Sequence, residues 1–154
     1  MLIDTHCHLD APAFDADRQH VIEQSVRAGV TSIVVPSVAP DNFETVRTLA
    51  HQSPELTYAL GVHPLFTHNL PADWLAQLRS ALKRNRDDPR LVAVGEIGLD
   101  NFVDSPDVET QERVYVEQLK LAQEFELPVI LHVRRSQDRL LKYLRQVPVS
   151  GGLA

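Results

Sequence analysis

The chain is poor in cysteine, in aromatic residues and in long apolar runs. A lone cysteine, Cys7, excludes an internal disulfide framework and fits a reducing cytosol. No uninterrupted apolar stretch approaches the roughly 20 residues that a membrane span needs, so no membrane partner is expected. Met1-Leu2-Ile3 runs straight into Asp4 with no basic segment ahead of it and no cleavage-site pattern. A secretory signal is therefore not expected, and the expected location is cytoplasmic. Aromatic residues make up only 6%, and no base-stacking residue can be assigned from them. Basic residues are outnumbered, 15 Lys and Arg against 21 Asp and Glu, and the net charge of −6 disfavours a passive nucleic-acid binder. That deficit is uneven: residues 1–133 sum to −10, and residues 134–154 to +4. A polyanion site must then rest on local basic groups or on bound cations. What is abundant is ordinary globular material: 44% hydrophobic residues in 154 excludes a disordered chain and predicts one domain, 1–154, with a real core.

Short apolar runs alternate with amphipathic segments. The runs are Leu2–Cys7, Thr31–Pro36, Leu56–Gly61, Leu91–Gly98 and Pro128–Val133, with a further start at Val149. Steps of 21 to 37 residues suit one βα unit each, and near-continuous Val, Ile and Leu suit parallel strands covered by helices. Between the runs, Phe43, Val46 and Ala50, then Trp74, Leu75, Leu78 and Leu82, then Val108, Tyr115, Leu119 and Ala122 recur at helical spacing. Gly29 sits where a glycine ends a first helix, and Ser136 is placed to cap a last one carrying Leu140, Leu141 and Leu144. An unbroken βα repeat predicts an open doubly wound sheet or a barrel. A complete eight-fold barrel takes about 250 residues. The chain stops at Gly151-Gly152-Leu153-Ala154, in what reads as the middle of a strand. The expectation is the first two thirds of a barrel, with five to six βα units.

Chemistry-bearing residues collect at the ends of these runs. In Asp4-Thr5-His6-Cys7-His8, strand alternation points His6 and His8 to one side, where two imidazoles can share a metal ion. Asp4 lies on that side to orient a ligand, and Cys7 points away into packing. The plain alternative is two satisfied histidines in a turn. Glu96 follows Leu91-Val92-Ala93-Val94-Gly95, where a carboxylate is costly to bury unless paired or metal-bound. It reads either as a bridge between two cations or as the capping Glu of a glycine-rich turn. His132 ends the fifth run with Arg134 two residues on, which suits a phosphate held between metal and guanidinium. The alternative is a core histidine followed by a solvated arginine. His63 in Gly61-Val62-His63-Pro64 reads as a substrate-contacting group or, more plainly, as a strand-to-loop residue. His20, His51 and His68 read as surface residues. Independent accidents do not favour strand ends so consistently, and mixed imidazole and carboxylate ligation suits Zn, Mn or related divalent ions without choosing one.

Together, Ile3-Asp4-Thr5-His6-Cys7-His8-Leu9, Gly61-Val62-His63-Pro64, Gly95-Glu96-Ile97-Gly98-Leu99-Asp100 and Pro128-Val129-Ile130-Leu131-His132 resemble the TatD family of metal-dependent deoxyribonucleases, in order and over essentially the whole chain. The resemblance implies a TIM (β/α)8 barrel of the metallo-dependent hydrolase type with two divalent metal ions (Zn, Mn or Mg). His6 and His8 would bind one ion, Glu96 would bridge as the catalytic carboxylate, and His132 would bind the other. The family pattern continues with another strand-end His and a later strand-end Asp, and this sequence ends before either. The second metal is then expected to lack a ligand.

The implied activity is hydrolysis of phosphodiester bonds in DNA from a 3′ end. Water would be activated between cations about 3.5–4 Å apart, with His63 and Arg134 steadying phosphate oxygens. Two readings stand beside it. One is a small-molecule metallohydrolase acting on an amide, lactone or phosphate ester, which the acidic balance suits. The other is an inactive fragment whose edge strands pair with another copy. Oligomeric state is left open.

Overall fold

The Val, Ile and Leu runs pair as a single parallel sheet in the computed structural model, which describes residues 1–102 and 107–154. Its strands are β1 (Leu2–Asp4), β2 (Val30–Pro36), β3 (Leu56–Leu60), β4 (Leu91–Asp100), β5 (Val129–Arg134) and β6 (Gly152–Leu153). Their spatial order is the chain order, β1-β2-β3-β4-β5-β6. A doubly wound sheet reverses its order partway. Monotonic order with right-handed crossovers keeps every helix on one side and rolls the sheet, as in a (β/α)8 barrel. The helices are α1 (Arg18–Arg27), α2 (Phe43–Ala50), α3 (Trp74–Arg84), α4 (Val108–Glu124) and α5 (Gln137–Gln146). None of the described helices is long and apolar enough to cross a membrane.

Strand alternation divides the core in two. Side chains on the helix side, among them Ile33, Val35, Leu56, Tyr58, Leu60, Leu91 and Val94, pack with α2, α3 and α4. Val34, Ala59, Ala93 and Ile130, one from each of β2 to β5, form a separate small cluster, as a layer inside a barrel does. The N-terminal ends of the strands are tied for stability. There Arg90 donates to the carbonyls of Ala50, Ser53 and Leu56 at 2.8, 2.6 and 2.7 Å, and Asp88 accepts from the Tyr58 hydroxyl at 2.9 Å. His51, expected at the surface, is exposed and sits 2.8 Å from Asp88. Leu2, Ile3 and Leu153 are exposed at the two sheet edges.

Several boundaries differ from expectation. β1 ends at Asp4, because the Asp4 carboxylate accepts the His6 backbone N–H at 3.1 Å and turns the chain. β6 begins at Gly152 rather than near Val149. Ser136 stands at the N-cap position of α5, but its hydroxyl makes no cap bond; it donates to the Leu99 carbonyl at 2.7 Å and ties β4 to the end of β5.

Gly29 does end α1 in the left-handed region, at φ +94°. The matching position after α4 is held by Glu126 at φ +57°, an exposed residue. A side chain there is strained by about 1–2 kcal/mol, and glycine's extra freedom in the unfolded chain returns about 0.5–1 kcal/mol of any gain. Glu126→Gly should therefore stabilise the fold by roughly 0.5–1 kcal/mol, read as a rise of about 2–4 °C in Tm. A lower Tm would contradict the left-handed assignment.

Candidate metal centre

Every strand-end residue singled out from the sequence lies at the C-terminal end of the sheet, the face where βα-loops gather in barrels. Glu96 is at the middle. Its side chain is almost fully buried, 4% exposed, while those of His6 and His8 are a third exposed. His6 and His8 do not reach it by strand alternation, since both lie beyond β1. The turn at Asp4, with a bond from Leu9 N to Cys7 O at 2.8 Å, folds them over the sheet end instead.

The result is a triangle. The His6 and His8 Nε2 atoms are 3.2 Å apart, and each lies near Glu96 Oε2, at 2.9 and 3.1 Å. Ligand atoms held about 2.0–2.2 Å from one tetrahedral ion are about 3.3–3.6 Å from each other, so the three atoms have nearly the spacing of one coordination face. A second triangle uses the other oxygen. His132 Nδ1 is 2.8 Å and His63 Nε2 is 3.6 Å from Glu96 Oε1, and the two nitrogens are 3.0 Å apart. Both groups of three could hold a metal ion, and they share one carboxylate. A buried carboxylate with imidazole nitrogens against each oxygen fits divalent-ion binding, because a cation satisfies all of these acceptors at once.

The electrostatics suit ligation. Burial alone would raise the Glu96 carboxyl, but bonds from His132, His6 and His8 outweigh it and hold the group far below the usual carboxylate range. Burial pulls His63 down to about 4, so its imidazole stays neutral near pH 7. The hydrogen bond to Glu96 raises His8. Burial opposes the same rise in His132, which Glu96 and Asp100 nevertheless produce. Cys7 is half-buried in packing, and burial, then Asp4 and Asp10, push its thiol up, away from thiolate chemistry.

Backbone supports fix these positions. The Glu96 N–H donates to Ser37 O at 3.2 Å. Two buried glutamines seven residues apart on α4 grip strand ends by both backbone groups. Gln118 accepts from Val62 N at 2.6 Å and donates to Val62 O at 3.0 Å, which sets His63. Gln111 does the same for Asp100, at 2.8 and 3.2 Å.

Some outcomes differ from the sequence reading. His63 is not a plain strand-to-loop residue; it is buried within the second triangle. Arg134 reaches the same end, but its guanidinium lies over the Phe102 ring, 4.0 Å from the centroid, and not among the imidazoles. Asp4 contacts the His6 backbone rather than an imidazole. Two further carboxylates join the site. Asp100, fully buried, lies 2.8 Å from His132 Nε2 and orients that ring. The signal was present, since alternation places residues 96, 98 and 100 on one side of β4. Asp10, held by Asn42, places an Oδ1 that is unpartnered among the described residues 3.9 Å from His8 Nδ1, and no motif marks it.

The chain is similar to several known proteins. The chain is 44% identical over 144 residues to an uncharacterized metal-dependent hydrolase, YjjV, of Escherichia coli K12, covering 94% of this chain and 55% of that protein. The crystal structure of that TatD homolog superposes with a TM-score of 0.91 at 43% identity, over 96% of this chain and 56% of the other. A 3′-5′ ssDNA/RNA exonuclease TatD of Erwinia tasmaniensis is 32% identical over 145 residues, 94% of this chain and 54% of the relative. The chain thus spans little more than half the length of these proteins. The profile described as TatD related DNase matches residues 3–152, and the chain belongs to that family.

Proposed function

We propose that this centre serves metal-dependent hydrolysis of phosphodiester bonds in DNA, acting from a 3′ end. The observation that carries the reading is the shared Glu96 carboxylate, with ring nitrogens of two histidines against each oxygen. In this reading His6, His8 and Glu96 would hold one divalent ion, and His132 with Glu96 would hold a second. Bound divalent ions supply Lewis-acid polarisation of a phosphoryl oxygen and a water acidic enough to attack near neutral pH. The protein's own part is to keep Glu96 deprotonated, as ligand and as acceptor for an attacking water. Asp100 holds His132 in place. His63, neutral and buried beside the carboxylate, and Arg134 at the mouth are placed to steady phosphate oxygens. The family description and the exonuclease name of one relative support nucleic acid as substrate.

A second reading, hydrolysis of a small ester, lactone or amide, is favoured only by the net charge of −6. One experiment separates the two. An end-labelled single-stranded oligonucleotide and a set of small esters are offered with Mn²⁺ or Zn²⁺, then with chelator. The expected result is shortening of the DNA from its 3′ end, abolished by chelator and restored by metal. Chelator-resistant cleavage by a clean preparation, or hydrolysis of small esters with DNA untouched, would overturn the proposal.

A further inference from the structure

Beside the His and Glu side chains, the same end of the sheet carries a second cluster. Phe102 is exposed, and the guanidinium carbons of Arg134 and Arg135 lie over its ring, 4.0 and 4.2 Å from the centroid. Arg18, Arg47, Arg79 and Arg139 each pair with a carboxylate, but among the described residues Arg134 and Arg135 have the ring instead. Like charges on adjacent residues repel, and the π-electrons of one aromatic ring attract both and lessen the penalty. They also begin a basic stretch, +4 over residues 134–154 in a chain of −6.

The backbone holds this arrangement under strain. Arg135 has φ +53°, a conformation that suits glycine and not arginine. It is kept there by three bonds between the ends of β4 and β5. Asn101 N donates to Arg134 O at 2.9 Å, Asn101 Nδ2 to Arg135 O at 2.9 Å, and Ser136 Oγ to Leu99 O at 2.7 Å. The cluster is also coupled to the candidate centre through one carboxylate. Asp100 Oδ1 accepts from Phe102 N at 2.8 Å, and Asp100 Oδ2 lies 2.8 Å from His132 Nε2.

We propose that Arg134, Arg135 and Phe102 form a clamp for the phosphodiester backbone of a nucleic-acid strand entering the His–Glu centre. The two guanidinium groups bind phosphate oxygens by charge-assisted hydrogen bonds, and Phe102 is the positioning residue that keeps them together. The clamp rests on the phosphodiester reading above and adds Arg135 and Phe102 to it.

The test measures binding of a fluorescent ten-nucleotide single-stranded DNA to the full chain, with chelator present so that neither hydrolysis nor bound cations contribute. Arg135→Gly keeps the left-handed backbone and removes only the guanidinium. Its affinity should fall about tenfold at low salt, and the slope of log K against log salt should shrink by about 0.7, one phosphate contact. Its thermal stability should not fall, because strain is relieved; a residue with a purely structural role would not separate the two readouts this way. Phe102→Ala should weaken binding too, whereas Arg139→Gln, on a paired arginine away from the ring, should stay within about twofold of the unchanged chain. If Arg135→Gly and Phe102→Ala bind with unchanged affinity and slope while the chain still cleaves DNA with metal, the clamp is wrong and the phosphodiester reading stands. A chain that cleaves with metal but binds no DNA under chelator also removes the clamp. A chain that neither binds nor cleaves removes both.

Discussion

Glu96→Gln is expected to abolish the gain in melting temperature that a divalent ion gives the unchanged chain, and to do so for both halves of the centre together. At a metal concentration 100 times Kd, binding to the folded state adds about 2.7 kcal/mol, or roughly 5–10 °C for a domain of this size. Losing a partner that only orients a ligand weakens metal sites by about 10–100-fold. Glu96 is closer than that: its Oε2 completes the His6–His8 triangle and its Oε1 the His63–His132 triangle. The loss of affinity should therefore exceed about 100-fold. Single histidine variants give the contrast. His8→Gln should empty the first group and spare the second, and His132→Gln the reverse, whereas Glu96→Gln should leave no tight equivalent in a Zn²⁺ titration. The metal-free chain should tolerate the change. Glutamine has nearly the same volume, and the facing imidazoles can shed their protons, so no buried charge is left unpaired. A Glu96→Gln chain that still binds Zn²⁺ with unchanged affinity would show that the carboxylate is not shared between the two groups.

That shared carboxylate was readable in advance only in part. Glu96 and His132 stood out because each ends a run of apolar residues, and a charged or ligating side chain at such a point has no packing reason to be there. The parallel order was legible for the same reason: each run is long enough for one strand and each gap for one helix. The convergence of His6 and His8 was expected on the wrong ground. Alternation along a strand does not apply, because Asp4 turns the chain two residues before His6. Ser136 shows the limit of local capping rules, since a tertiary acceptor, Leu99 O, takes its hydroxyl. Asp100 is marked by alternation along β4, whereas Gln111 and Gln118 gain their importance from the backbone groups they hold, and helical periodicity marks them as ordinary polar residues. The left-handed turn at Arg135 left no trace in composition, because nothing distinguishes a strained arginine from a relaxed one until the backbone is seen.

Gly98 tests the backbone path on which all of these positions depend. Gly98→Ala should destabilise the fold by more than about 4 kcal/mol, a range reached by few single substitutions and tied to specific structural causes. Gly98 has φ +147°, and a Cβ built on it would lie 2.1 Å from the His132 carbonyl oxygen and 3.0 Å from the His132 carbonyl carbon and nitrogen. Real Cβ atoms essentially never come under 3.0 Å, and here the obstacle is backbone, which cannot rotate away. Relief requires β4 and β5 to separate where Gly98 pairs with His132 and Leu99 with Val133, in a stretch buried from Ala93 to Asp100. Gly29→Ala is the matched control. Gly29 also has positive φ, +94°, but a Cβ there meets nothing within 4 Å, so only the conformational penalty of about 1 kcal/mol applies. Urea unfolding of the two variants separates strain from collision. Equal, small losses would mean that β4 does not pass His132 as closely as described. A large loss confined to Gly98→Ala, with metal affinity falling in whatever fraction remains folded, would tie the Glu96–His132 distance to the absence of a single methyl group.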